Sequence, residues 1–134
     1  YVESDFIGLS NRWLHQLAVA PMGPNGEIEV VEIRTPHIGG KVRYYRYNNE
    51  ERRLDNVAEA IGEYTTHDIG SRNVDRAVVA DLNGDGIPEL VVQNQEKNML
   101  VGLQRTIDTY DNENNGVEKV WNIPLVSPIF SNIA

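Results

Sequence analysis

Leu17-Ala18-Val19-Ala20, followed by Gly26, Glu29, Val30 and Val31, aligns without a gap onto Ala77-Val78-Val79-Ala80, followed by Gly86, Glu89, Leu90 and Val91, at an offset of 60 residues. The repetition extends beyond these residues. Upstream, Asp5-Phe6-Ile7-Gly8 is echoed by His67-Asp68-Ile69-Gly70, and Ser131-Asn132-Ile133-Ala134 begins the same pattern a third time. Val57 falls on Val117 and Ile61 on Trp121 at the same offset of 60. A period of this length means that one supersecondary unit is built twice, each copy covering an apolar face of the other.

Within a period the apolar residues come in short runs separated by turn residues. Strands are predicted at 13–20, 28–34, 42–47 and 53–59 in the first unit, and at 76–80, 90–92, 99–105 and 117–123 in the second. Alternation is clearest in Val42-Arg43-Tyr44-Tyr45-Arg46-Tyr47, where β-branched and aromatic residues suit a half-buried pleated surface. A helix is conceivable only over 54–61, and the match of that stretch to 117–121 argues that both are strands. The expected fold is all-β, with two four-stranded antiparallel propeller-type blades forming an incomplete β-propeller and a third repeat only begun. Blade 1 is expected at about 7–66, blade 2 at about 67–130 and a tail at 131–134, within a single repeat domain.

The chemistry concentrates in Asp81-Leu82-Asn83-Gly84-Asp85-Gly86-Ile87-Pro88-Glu89. Calcium takes six to eight oxygen ligands, and alternate residues of a tight loop can supply them where glycine permits the turn. The expected ligands are the side chains of Asp81, Asn83, Asp85 and Glu89 with the backbone carbonyl of Ile87, making Ca²⁺ the expected cofactor. An EF-hand opens the same way, but its closing position is occupied here by Val92, and the flanks read as strands rather than helices. Two other loops invite comparison. In the first unit Pro21, Gly23 and Asn25 replace Asp81, Asn83 and Asp85, leaving Glu29 as the retained acid and implying a metal-free turn. In 111–116 an acidic stretch is closed by Lys119, which opposes a metal, and Asn115-Gly116 reads as a hairpin turn.

With Asp81, Asn83, Asp85, Gly86 and the apolar run Leu90-Val91-Val92, the sequence resembles the FG-GAP or VCBS-type repeat of integrin-like β-propellers, with Glu89 in place of the usual closing Asp. The resemblance implies a non-enzymatic, calcium-binding structural or adhesive module, extracellular, at the cell surface or periplasmic, acting through protein contacts. Two blades leave a face and an edge uncovered, so self-association into a ring or fibre, or membership of a larger propeller, is expected. The apolar tail over 127–134 is expected to pack on, or add a strand to, the sheet of a neighbouring molecule. A glycan-binding role through Trp13, Tyr44, Tyr45, Tyr47 and Trp121 is the alternative, set against packing in the core.

Other classes are disfavoured. Twenty Asp and Glu against twelve Lys and Arg give a net charge of −8, which repels nucleic acid and anionic membrane surfaces. With no cysteine there is neither a disulfide framework nor a thiolate metal site. No apolar run approaches the roughly 20 residues that span a bilayer, and an opening on Tyr1 is expected of a processed chain or a piece of a longer one. His15, His37 and His67 lack metal-site spacing, and no serine lies in a Gly-x-Ser-x-Gly context. Acid pairs such as Asp108 with Asp111, or Glu50 with Glu51, read as solvated loop residues.

Overall fold

In the computed structural model, residues 14–73, 76–107, 116–131 and 133 are described. Alternation governs the first sheet. Val31 and Ile33 on one strand, and Val42 and Tyr44 on the next, are buried on one face, while Glu32, Arg34, Arg43 and Tyr45 take the other. The strands are β1 (Leu14–Ala20), β2 (Glu29–Arg34), β3 (Lys41–Asn48) and β4 (Arg53–Glu59), paired antiparallel in chain order. Their turns carry recognisable chemistry. Between β3 and β4 the Asn48 side-chain oxygen accepts the Glu50 and Glu51 N–H groups at 3.0 and 3.1 Å, and Arg52 adopts a positive φ of 52°.

The second sheet contains β5 (Tyr64–Thr65), β6 (Ala77–Ala80), β7 (Glu89–Asn94), β8 (Met99–Arg105) and β9 (Val117–Pro124). β7, β8 and β9 are antiparallel neighbours, and β5 and β6 share the remaining edge of β7. The molecule is thus all-β, with two antiparallel sheets that do not close into a barrel and no helix among the described residues. It departs from the expected four-plus-four count through β5. That two-residue strand is too short to carry a periodic signal, and it belongs by sequence to the first unit while pairing in the second sheet. The neighbouring repeat matches at Asp5–Gly8, Asn132 and Ala134 lie outside the described residues.

One core joins the sheets. Val31, Ile33, Val42, Tyr44 and Ala58 from the first pack with Leu90, Val92, Val101, Leu103 and Val117 from the second, and Met22, Ala60 and Tyr64 fill in around them. The chain crosses between the sheets where Tyr64 donates its N–H to the Gly40 carbonyl at 2.9 Å before entering β5. On leaving β9 it turns past β8, with Leu125 N–H on the Asn98 carbonyl at 2.8 Å, and its tail lies on its own second sheet. There the Gln93 side-chain amide pairs with the Ile129 backbone at 3.0 and 2.9 Å, Arg76 donates to the Ile129 carbonyl at 3.2 Å, and Asn73 donates to that of Phe130 at 2.7 Å.

Gly40 sits at the crossing point because nothing larger fits. A Cβ there would stand 2.2 Å from the Tyr64 carbonyl oxygen and 2.8 Å from Ile33 Cδ1. Gly40→Ala is therefore expected to destabilise the fold by about 1–3 kcal/mol, the usual range for overpacking a tight site. Chemical denaturation monitored by tryptophan fluorescence and by far-ultraviolet circular dichroism checks this, and both signals should lose the same stability because the sheets share a core.

Candidate metal-binding loop

The loop over 81–89 joins β6 to β7, and the pair Ala80↔Glu89 closes its base. Short polar side chains at alternate positions turn back on the backbone. Asp81 accepts the N–H groups of Gly84 at 2.7 Å and Gly86 at 2.9 Å, Asn83 Oδ1 accepts that of Asp85 at 2.9 Å, and Asp85 Oδ1 accepts that of Ile87 at 2.8 Å. Gly84 and Gly86 make the winding possible, with φ of 80° and 88°. Asp81, Asn83 and Asp85 are exposed to solvent, whereas Glu89 is fully buried.

Glu89 defines the electrostatics of the site. Its Oε2 accepts the Leu82 N–H at 2.8 Å, which aims the carboxyl into the loop, and its Oε1 is buried with no hydrogen-bond partner. A buried oxygen of this kind costs several kcal/mol when left ionised and unpaired. The loop is tied to β8 by Gln104, whose Nε2 donates to Asp85 Oδ2 at 2.8 Å and to the Ile87 carbonyl at 3.2 Å. Asp85 is held below the ordinary carboxylate range by the Gln104 amide first, then by the Ile87 N–H, with a smaller share from the Asn83 amide.

All five residues expected to hold a metal therefore fall on one loop. Among the described residues, however, no three His, Asp or Glu side chains are grouped tightly enough to hold a metal ion as they stand. The reason is local, since the loop carboxylates are turned onto backbone N–H groups. Both Asp81 oxygens and Asp85 Oδ1 accept one hydrogen bond each and keep a further lone pair, whereas Asp85 Oδ2 already accepts from Asn83 and Gln104, and the donors are all oxygen, which suits a hard cation. With the open Oε1 of Glu89, the residues present fit calcium.

The corresponding loop of the first unit is neutralised differently. Glu29, also fully buried, receives Arg46 Nη2 on Oε1 at 2.7 Å and Arg105 Nε on Oε2 at 3.0 Å. Arg46 also pairs with Glu27 at 3.3 Å, and Glu27 accepts the Asn25 N–H at 2.9 Å. Sequence reasoning retained Glu29 but gave it no partner, and it assigned Arg46, Gln104 and Arg105 to strands without a role at either loop. Their signal lies in the strand register rather than in any motif.

Tyr44 and Tyr45 are buried, the latter with its hydroxyl donating to Glu32 at 2.7 Å, and Trp121 packs its indole over Gly102. Tyr47 is half exposed. His15 lies 3.5 Å from the Thr66 hydroxyl and His67 is buried. Trp13, Asp108 and the acidic stretch 111–115 lie outside the described residues. Comparison with family models, with curated proteins and with solved structures finds no match.

The coupling of Asp85 to β8 has a measurable consequence. A carboxyl whose pKa is lowered in the folded state contributes stability above its unfolded value near 3.9, and loses it as pH falls through the lower folded value. In calcium-free buffer, Gln104→Ala is expected to raise the Asp85 midpoint toward the ordinary range. Carboxyl-carbon NMR titration of the wild type and variant measures the shift directly.

Proposed function

We propose that this chain is a calcium-stabilised structural or adhesive module, non-enzymatic and working outside the cytoplasm through protein contacts. The observation that carries this reading is the fully buried Glu89 carboxylate, whose Oε1 has no partner although its counterpart Glu29 is matched by two arginines. Asp81, Asn83 and Asp85, the Ile87 carbonyl and Glu89 are the residues that would hold the ion. Bound there, calcium would supply the positive charge that the loop lacks. The backbone hydrogen bonds already made by Asp81, Asn83 and Asp85 fix the loop near a wound conformation, which lowers the ordering cost of binding. The resemblance of this stretch to FG-GAP repeats supports the same assignment. Extracellular calcium modules commonly bind with dissociation constants of about 10⁻⁴ to 10⁻³ M, an affinity suited to calcium-rich surroundings.

Calcium at about 10 mM should then stabilise the fold by roughly 1.4–2.7 kcal/mol. For a chain of this size that corresponds to a rise in Tm of roughly 5–10 °C. Differential scanning calorimetry in calcium and in chelator tests it with Glu89→Ala and Asp85→Ala. Each variant is expected to lose some stability in chelator, where its own hydrogen bonds go, and distinctly more in calcium; an equal loss in both sinks the assignment.

The protein contacts we assign first are with further copies of the chain. Among the described residues β4 and β9 each leave one edge without a neighbouring strand, and Ile123 on β9 and Val126 just after it are exposed. Sedimentation velocity across a concentration series is expected to show assembly larger than a monomer. A single monomeric boundary at every concentration removes this part of the reading. The glycan alternative draws no support from Tyr44 and Tyr45, whose rings are buried.

A further inference from the structure

Glu29 and Glu89 are the same residue of the repeat, each opening the second of two paired strands opposite an alanine, Ala20 or Ala80. The residue facing each acid on the following strand differs. Arg46 pairs with Glu29 across β2 and β3, and the register Leu90↔Leu103 sets Gln104 opposite Glu89 across β7 and β8. Arg46 turns toward its acid, with Nη2 on Glu29 Oε1 at 2.7 Å. Gln104 turns the other way, giving Nε2 to Asp85 Oδ2 and the Ile87 carbonyl, and Glu89 Oε1 stays open.

The second cation on Glu29 is also missing from Glu89. Arg105 reaches Glu29 from the neighbouring sheet because the β2 face bearing Glu29, Val31 and Ile33 meets that sheet. On β7 it is Leu90 and Val92 that enter the shared core, so Glu89, Val91 and Gln93 lie on the opposite face by strand alternation. Among the described residues no arginine or lysine pairs with Glu89 from either side.

We infer that the side chain at this cross-strand position decides how the buried acid is neutralised. An arginine there makes the turn self-sufficient. Gln104 makes the second sheet dependent on a hard divalent cation, because it supplies no charge yet holds two of the expected ligands, the Asp85 carboxylate and the Ile87 carbonyl. Gln104 is thus a positioning residue for the cation, and Gln104→Arg exchanges metal for guanidinium. The inference rests on the calcium reading above and extends it to a residue outside the loop.

The test uses the full chain, comparing wild type with Gln104→Arg in chelator and in calcium chloride by calorimetric melting, with calcium binding followed by isothermal titration calorimetry. Gln104→Arg is expected to melt in chelator close to wild type in calcium, and to bind calcium at least ten-fold more weakly. The gain in chelator should vanish when Glu89→Gln is added, since the arginine then has no charge to meet. A variant that binds calcium as tightly as wild type, or gains nothing in chelator, overturns the inference. If wild type itself shows no calcium effect, the metal reading fails; the chelator melt of Gln104→Arg then still decides whether arginine neutralises Glu89. Should Gln104→Arg not fold, Glu89→Gln alone decides. Removal of the unpaired charge should raise its Tm in chelator and abolish its calcium response, and a lower Tm in chelator than wild type overturns the inference.

Discussion

A carboxylate buried at the head of a strand is costly unless positive charge meets it, and both sheets place a glutamate in that position. Glu29 and Glu89 are each fully enclosed at the first position of β2 and β7, where the side chain cannot turn out to solvent. In the first sheet the requirement is met from within, by Arg46 on the adjacent strand and Arg105 on the facing sheet. This second contact joins the sheets as well as neutralising the acid. The Arg105 guanidinium also lies 5.7 Å from the Tyr44 ring and donates to the Thr106 and Gly116 carbonyls, so β2, β3, β8 and the start of β9 converge on one side chain.

The second sheet meets the same situation with a loop built of acids and glycines. With Gln104 where the first sheet has Arg46, Glu89 Oε1 has no partner among the described residues, and Asp81, Asn83 and Asp85 wind the adjoining loop through their own backbone contacts; a cation bound there is what we propose to meet that charge. The rest of the second sheet is held without such help. On the β7 face turned from the core the tail passes Gln93, with Gln93, Arg76 and Asn73 gripping its backbone. The Ile129 N–H and carbonyl and the Phe130 carbonyl of the tail are thus satisfied within the chain.

The repeat made the architecture legible at a distance. Eight of the strands follow the alternating runs closely, and β4 and β8 fall on their expected bounds, 53–59 and 99–105, because a half-buried strand writes its two faces directly into the order of residues. β5 escaped because two residues have no period; its place is set by the Tyr64 contact with Gly40 and by the free edge of β7. Trp121 and the tyrosines were ambiguous for a related reason. An aromatic residue on a strand has the same spacing whether it faces a core or a ligand, and only the sheet opposite decided that Tyr44 is enclosed.

The sequence by itself determined the two units, their strands and the loop in which oxygen donors recur at alternate positions, because all of these depend on neighbours within a few residues. Tertiary structure alone decided which charges meet. Glu29 and Arg105 are 76 residues apart, and Glu89 and Gln104 face each other only through the register of β7 and β8. A carboxylate shows its charge in the sequence, but whether it is buried and what stands opposite it are properties of the packed sheets. The two glutamates, identical in the repeat, therefore acquire different chemistry from what the fold sets beside them.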